Sequence, residues 1–218
     1  MKKRLARVKG EFNWVIEEPE LLKYSVDIAE LWLERELKDK GHVTGDLLNK
    51  ACGIMAEEIF SAELNELNVP HIRTIPLLAK NHPVNHGKPF DVKIVSSTID
   101  IKSISPYPPR SGHHSNLNVN KAEIENIGKC DFYIATKCYP ELLAEAQPIK
   151  NKEWVITILN KIERIEFLGY ATTEELIKEN NLRLYQPSPF YSLKPPFHLM
   201  AEFAYKLKIP LELKSAPD

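Results

Sequence analysis

Residues 88–105 read KPFDVKIVSSTIDIKSIS: two apolar, strand-like runs back to back, each carrying an aspartate that a buried strand avoids. Side chains alternate along a strand. Phe90, Val92 and Ile94 therefore share one face, and Asp91 and Lys93 the other. In the second run Ile99 and Ile101 lie opposite Asp100 and Lys102. An antiparallel hairpin turning at Ser96–Ser97 predicts Asp91 opposite Lys102 and Lys93 opposite Asp100. The polar groups then collect on one face and the apolar set on the other. A one-residue slip of register would part Asp91 from Asp100.

Two carboxylates held about 5–7 Å apart repel, and burial worsens the repulsion. Lys102 offsets part of it and a divalent cation would offset more; oxygen ligands suit magnesium or manganese. Such a site binds a phosphodiester oxygen, lowers the pKa of a coordinated water and lets a nearby lysine place that water for in-line attack. The alternative is an ion-paired strand surface facing solvent.

The rest of the chain narrows the class. Its 218 residues suit one domain or two small ones, and 43% hydrophobic content supports a sizeable core. A net charge of −1 announces no nucleic-acid partner, so any such partner would be held by local patches. Cys52, Cys130 and Cys138 lack metal-type or disulfide spacing, which points to a reducing, cytoplasmic setting. No apolar run approaches the roughly 20 residues that span a bilayer. The basic start MKKRLARVKG has no apolar segment behind it, unlike a secretory signal, and reads as a solvated tail. No glycine-rich phosphate loop supports a nucleotide cofactor.

Helical spacing predicts helices over 19–40, with Gly41 as C-cap, and over 46–67. A strand follows at 71–78 and a loop at 81–89. Three prolines and Gly112 predict an irregular segment, SPYPPRSGHHSNLNVN. A short helix fits 121–128, a buried strand 130–139 and one or two strands 153–168. Thr172 and Glu175 are spaced as a capping box. Phe190, Tyr191, Phe197 and Phe203 read as C-terminal core, and Cys52 as core. His82, His86, His113 and His114 read as loop histidines rather than zinc ligands, since Pro83 and Gly87 deny the first pair a helix. The order of elements predicts an α/β or α+β sheet flanked by helices, read here as an α/β fold.

GIMAEEIFSAEL (53–64), Phe90-Asp91, Asp100-Ile101-Lys102, CDFYIATK (130–137) and FLGYATTEEL (167–176) occur in an order that resembles the PD-(D/E)XK nuclease superfamily. In that family a helix glutamate precedes a strand aspartate and then a (D/E)-x-K strand. The proline of this chain stands two residues before Asp91 rather than next to it. The resemblance implies a restriction-endonuclease-like fold: a central mixed β-sheet flanked by helices over 46–218, after an N-terminal helical extension at 1–45. It implies magnesium- or manganese-dependent hydrolysis of double-stranded DNA, leaving 5′-phosphate ends, by a homodimer of the type II restriction kind. A repair or junction-resolving nuclease and a non-catalytic DNA-binding module are the alternatives. By the same resemblance Asp91, Asp100 and the Ile101 carbonyl hold the metal, and Lys102 orients or deprotonates the attacking water. Glu57 accepts a hydrogen bond from coordinated water or binds a second ion; only the resemblance favours it over Glu58, which reads as solvated. Lys93, Arg110, His113 and His114 are candidate DNA contacts.

Overall fold

The computed structural model describes residues 6–7, 13–15, 19–40, 46–74, 90–104, 116–126, 129–139, 152–184 and 189–209. The first helix, α1 (Pro19–Lys40), packs against α2 (Leu47–Glu66). Asp46 caps α2, its Oδ1 accepting the Asn49 N–H at 2.8 Å, and Asn68 leaves the helical region at φ 55°. Both helices follow their predicted bounds; Gly41 lies outside the described residues. The buried stripe Leu48, Ala51, Cys52, Met55, Ile59 turns α2 onto the sheet.

Strands β1 (Ala6–Arg7), β2 (Asn13–Val15), β3 (His71–Arg73), β4 (Val92–Ile94), β5 (Ser97–Ile104), β7 (Phe132–Tyr139) and β8 (Arg164–Thr172) form one mixed sheet in the order β1-β2-β8-β7-β5-β4-β3. Among the described strands only β5 and β7 pair in parallel. The predicted strand at 71–78 is seen as β3; residues 75–80 lie outside the described ones. The N-terminal segment adds two strands to the predicted helix, because Ala6 and Arg7 pair with Val15 and Trp14 rather than trailing as a solvated tail.

Between β5 and β7 come β6 (Leu117–Asn120) and α3 (Lys121–Asn126). The strand β6 corrects the expectation that this stretch is irregular throughout. All the prolines lie upstream, and buried Leu117 and Val119 alternate with polar Asn118 and Asn120. It pairs with β10 (Phe190–Leu193), which pairs with β9 (Leu182–Arg183) in a second, three-stranded sheet. The predicted strand region 153–168 is split. Its first half is helix α4 (Lys152–Leu159), and only from Arg164 is it strand. Val155 and Leu159, one helical turn apart, pack into the core, which overrides the strand preference of this β-branched run. Thr172 caps α5 (Thr173–Leu176): Glu175 accepts the Thr172 N–H at 2.9 Å and donates its own backbone N–H to the Thr172 hydroxyl at 3.3 Å. No described helix is long and apolar enough to cross a membrane.

Each face of the large sheet carries a core. Val92, Ile94, Ile99, Ile101, Ile134 and Ile165 meet α1, α2, α4 and α6 (Met200–Lys206) on one side. Ile104, Tyr133, Ala135 and Ala171 meet Leu117, Val119, Ile124 and Leu176 on the other. Of the predicted C-terminal aromatic core, Phe203 enters the first cluster and Tyr191 and Phe197 border the second. At the bulge in β8, Gly169 has φ 142°, and a Cβ there would lie 2.5 Å from the His198 carbonyl oxygen. Tyr170 and His198 exchange backbone hydrogen bonds at 3.0 Å across this approach. Gly169→Ala is therefore expected to cost about 2 kcal/mol or more in chemical denaturation, from a conformation side chains reject plus a backbone clash.

Candidate functional site

The hairpin of β4 and β5 pairs Val92 with Ile99, Lys93 with Thr98 and Ile94 with Ser97. Its turn falls at Val95–Ser96, one residue earlier than expected, with Val95 in the left-handed region at φ 54°. The pairing slides by two places, so Lys93 faces Thr98 instead of Asp100, and Asp91 is not opposite Lys102. A slide of two keeps Val92, Lys93 and Ile94 on their faces. Phe90, expected beside Val92 and Ile94, packs on the other core, because Asp91 and Val92 both oppose Ile99 and break the alternation there. Asp100 and Lys102 share the face turned away from α2, and the charge of Asp91 reaches both.

Beyond the last hairpin pair, Asp91 takes over the ladder. Its N–H donates to the Ile99 carbonyl at 2.9 Å, and its Oδ2 accepts the Ile101 N–H at 2.7 Å. Because the N–H and C=O of one strand residue point to the same edge, the Ile101 carbonyl opens toward Asp91. Asp91 and Asp100 are each 6% exposed. The Lys102 side chain keeps 26% exposure, and its Nζ stands 2.8 Å from Asp100 Oδ2 and 2.6 Å from Glu123 Oε1.

Glu123 is not among the site residues expected from the motif. It rides on α3, which is fixed by buried Ile124 and by hydrogen bonds from the Lys121 N–H to the Pro189 carbonyl and the Ala122 N–H to Asn120 Oδ1. The short helix is legible in KAEIEN, but nothing local ties its glutamate to a lysine 21 residues earlier.

Burial pushes the Asp100 carboxyl well above the usual carboxylate range; the Lys102 ammonium opposes this, while the Asp91 and Glu123 charges add to it. Burial also works against the charge on Lys102, yet Asp100, Glu123 and Asp91 outweigh it and hold the amine well above its ordinary value. Burial raises Glu123, but Lys102 and hydrogen bonding to Lys102 and Asp100 bring it below its ordinary value. The Cys130 thiol and Tyr133 phenol border the same cluster, and both are pushed up, first by burial. Three carboxylate charges thus act on one ammonium, which pairs with Asp100 and Glu123.

Helix α2, which carries Glu57, packs on the Ile99–Ile101 face of the sheet. Glu57 is buried, with Arg73 and Tyr24 within reach of its charge. Glu58, expected to be solvated, pairs with Arg73 at 2.6 Å. Lys93 is half-buried on β4. Arg110, His113 and His114 lie outside the described residues, as do His82 and His86. Among the described residues no three His, Cys, Asp or Glu side chains are grouped so as to hold a metal ion by themselves.

The place of Asp91 in the ladder can be tested by itself. Asp91→Ala leaves the buried Ile101 N–H without an acceptor, which is expected to cost about 1–3 kcal/mol. Asp91→Asn keeps an oxygen in reach and is expected to cost well under half of that. Urea titration of both variants without metal compares them; equal losses would deny Asp91 its place in the ladder.

Comparison of the chain with protein-family models, with curated proteins and with solved structures finds no match in any of the three.

Proposed function

We propose that this chain is a divalent-metal-dependent DNA endonuclease of the PD-(D/E)XK kind, cutting double-stranded DNA in the manner of a type II restriction enzyme. The observation that carries the reading is the meeting of buried Asp91 and Asp100 with the partly exposed Lys102. The order of helix α2, strands β4 and β5, and the following strand β7 supports it, as does the α/β sheet flanked by helices.

The residues fit a hard divalent cation. Two buried carboxylates and the Ile101 carbonyl offer oxygen atoms on one edge, and the raised Asp100 proton affinity marks a place short of positive charge. Few protein ligands suit magnesium, which keeps much of its own water. When bound, the ion supplies Lewis-acid activation of the phosphodiester and of water. Asp91 and Asp100 would hold it. Lys102, beside Asp100 and Glu123, would orient or deprotonate the attacking water. A homodimer would place one such site on each strand.

A second reading has its own observation. Asp91 closing the ladder and Lys102 bridging Asp100 and Glu123 also describe a purely structural network in a non-catalytic DNA-binding module. Incubation with mixed plasmid DNA and magnesium, followed by sequencing of the ends, separates the two. Metal-dependent ends with 5′-phosphates are expected. Cutting of branched junctions alone would move the protein to the repair class, and no cutting of either substrate would leave the structural network.

A further inference from the structure

Lys102 is shared between two acids, and that sharing has a consequence for cation binding. An ammonium 2.8 Å from Asp100 Oδ2 competes with any divalent ion for the same carboxylate. A lysine stem reaches past several positions, so its amine goes wherever negative charge is densest. With only Asp91 and Asp100 in reach, it would settle on that pair and block it. Glu123 offers a third anchor at 2.6 Å, on a helix held in place by Ile124 and by backbone hydrogen bonds at both its first residues. Lys102 can then release Asp100 without becoming a buried, unpaired charge, whose cost would otherwise hold it in place.

We propose that Glu123 is a positioning residue that acts through Lys102: it draws the amine off the Asp91–Asp100 pair so that the pair can take a divalent cation, and it aims the amine beside that cation. This rests on the metal-dependent reading above and names what regulates entry to the same site. It differs from direct ligation by Glu123, which would not need Lys102.

The test is a double-mutant cycle on manganese binding, measured by calorimetry without DNA on the full chain. Glu123→Gln is expected to weaken Mn2+ affinity by about tenfold when Lys102 is present. Lys102→Met is expected to bind Mn2+ at least as tightly as the wild type. In the Lys102→Met background, Glu123→Gln should then change affinity by less than about twofold. Glu123→Asp, which keeps the charge but shortens the reach, should show a smaller loss with the same dependence on Lys102, and it serves if the glutamine variant does not fold. An equal loss of affinity with and without Lys102 would overturn the proposal in favour of direct ligation, and no loss in either background would overturn it outright. Plasmid cleavage is measured alongside. A wild-type chain that shows the coupling but cuts no DNA removes the nuclease and keeps the Glu123 assignment.

Discussion

Asp100→Asn is expected to lower the rate of DNA cleavage by at least about a thousandfold while the metal-free protein melts no lower than the wild type. The two effects have one cause. Burial and the charges of Asp91 and Glu123 act against the ionised form of Asp100, so ionising it in the fold is unfavourable. An amide of the same shape removes that penalty together with half of the carboxylate pair that would hold the cation. The pH dependence follows from the sign of the shift. A carboxyl whose folded-state pKa is raised binds its proton more tightly folded than unfolded. Its contribution to stability is complete below the unfolded value, near pH 4, and is lost as pH rises toward the raised folded value. The advantage of the asparagine variant should therefore be absent in acid and grow toward neutral pH. Thermal melts across that range, beside single-turnover cleavage, measure both. Cleavage at the wild-type rate would exclude Asp100 from the chemistry. A variant whose disadvantage grew with pH would contradict the buried-charge argument.

The second large effect belongs to Lys102. Lys102→Met is expected to remove cleavage at saturating DNA by about 10²–10⁴-fold, the range for a group that positions or transfers a proton in the transition state. It is also expected to lower metal-free stability by about 2 kcal/mol, since Asp100 and Glu123 lose the ammonium they share. Magnesium should restore much of that stability, because a ligand that binds only the folded chain stabilises it by mass action. Lys93 gives the contrast. It lies on the same face but opposite Thr98, with no acid placed across from it by the register. Lys93→Ala should leave the saturated rate near that of the wild type and weaken DNA binding, with a salt slope smaller by about one if it meets a phosphate. Rates at saturation, and affinities measured in calcium at several salt concentrations, separate the two. Equal rate losses from both lysines would mean that Lys102 has no special place beside Asp100.

Much of the candidate site is legible in the order of residues alone. The period-two alternation of 97–104 puts Asp100 and Lys102 on one face, and that of 92–94 survives even with the turn misplaced. Moving the turn from Ser96–Ser97 to Val95–Ser96 slides the pairing by two, and two is the period of the strand. The helices at 19–40 and 46–67 are legible because three-to-four spacing and the end signals Asp46 and Pro70 are local. The capping box at Thr172 is legible for the same reason.

What escapes the sequence is whatever depends on which faces meet. The run KEWVITIL carries residues that favour strands, and burial of Val155 and Leu159 against the helical core makes it a helix. LNVN sits behind a proline-rich stretch and becomes a strand only because Phe190–Leu193 returns to pair with it. Helix α2 is legible in the sequence, but its packing on the Ile99–Ile101 face of the sheet is not. Glu123 has no local mark, yet the connection from β5 through β6 and α3 lays it against Lys102. Periodicity along the chain assigns each side chain to a face, because backbone geometry repeats residue by residue. Which carboxylate reaches the lysine is decided by long-range packing, where burial and unpaired charge are balanced only after the chain has returned on itself.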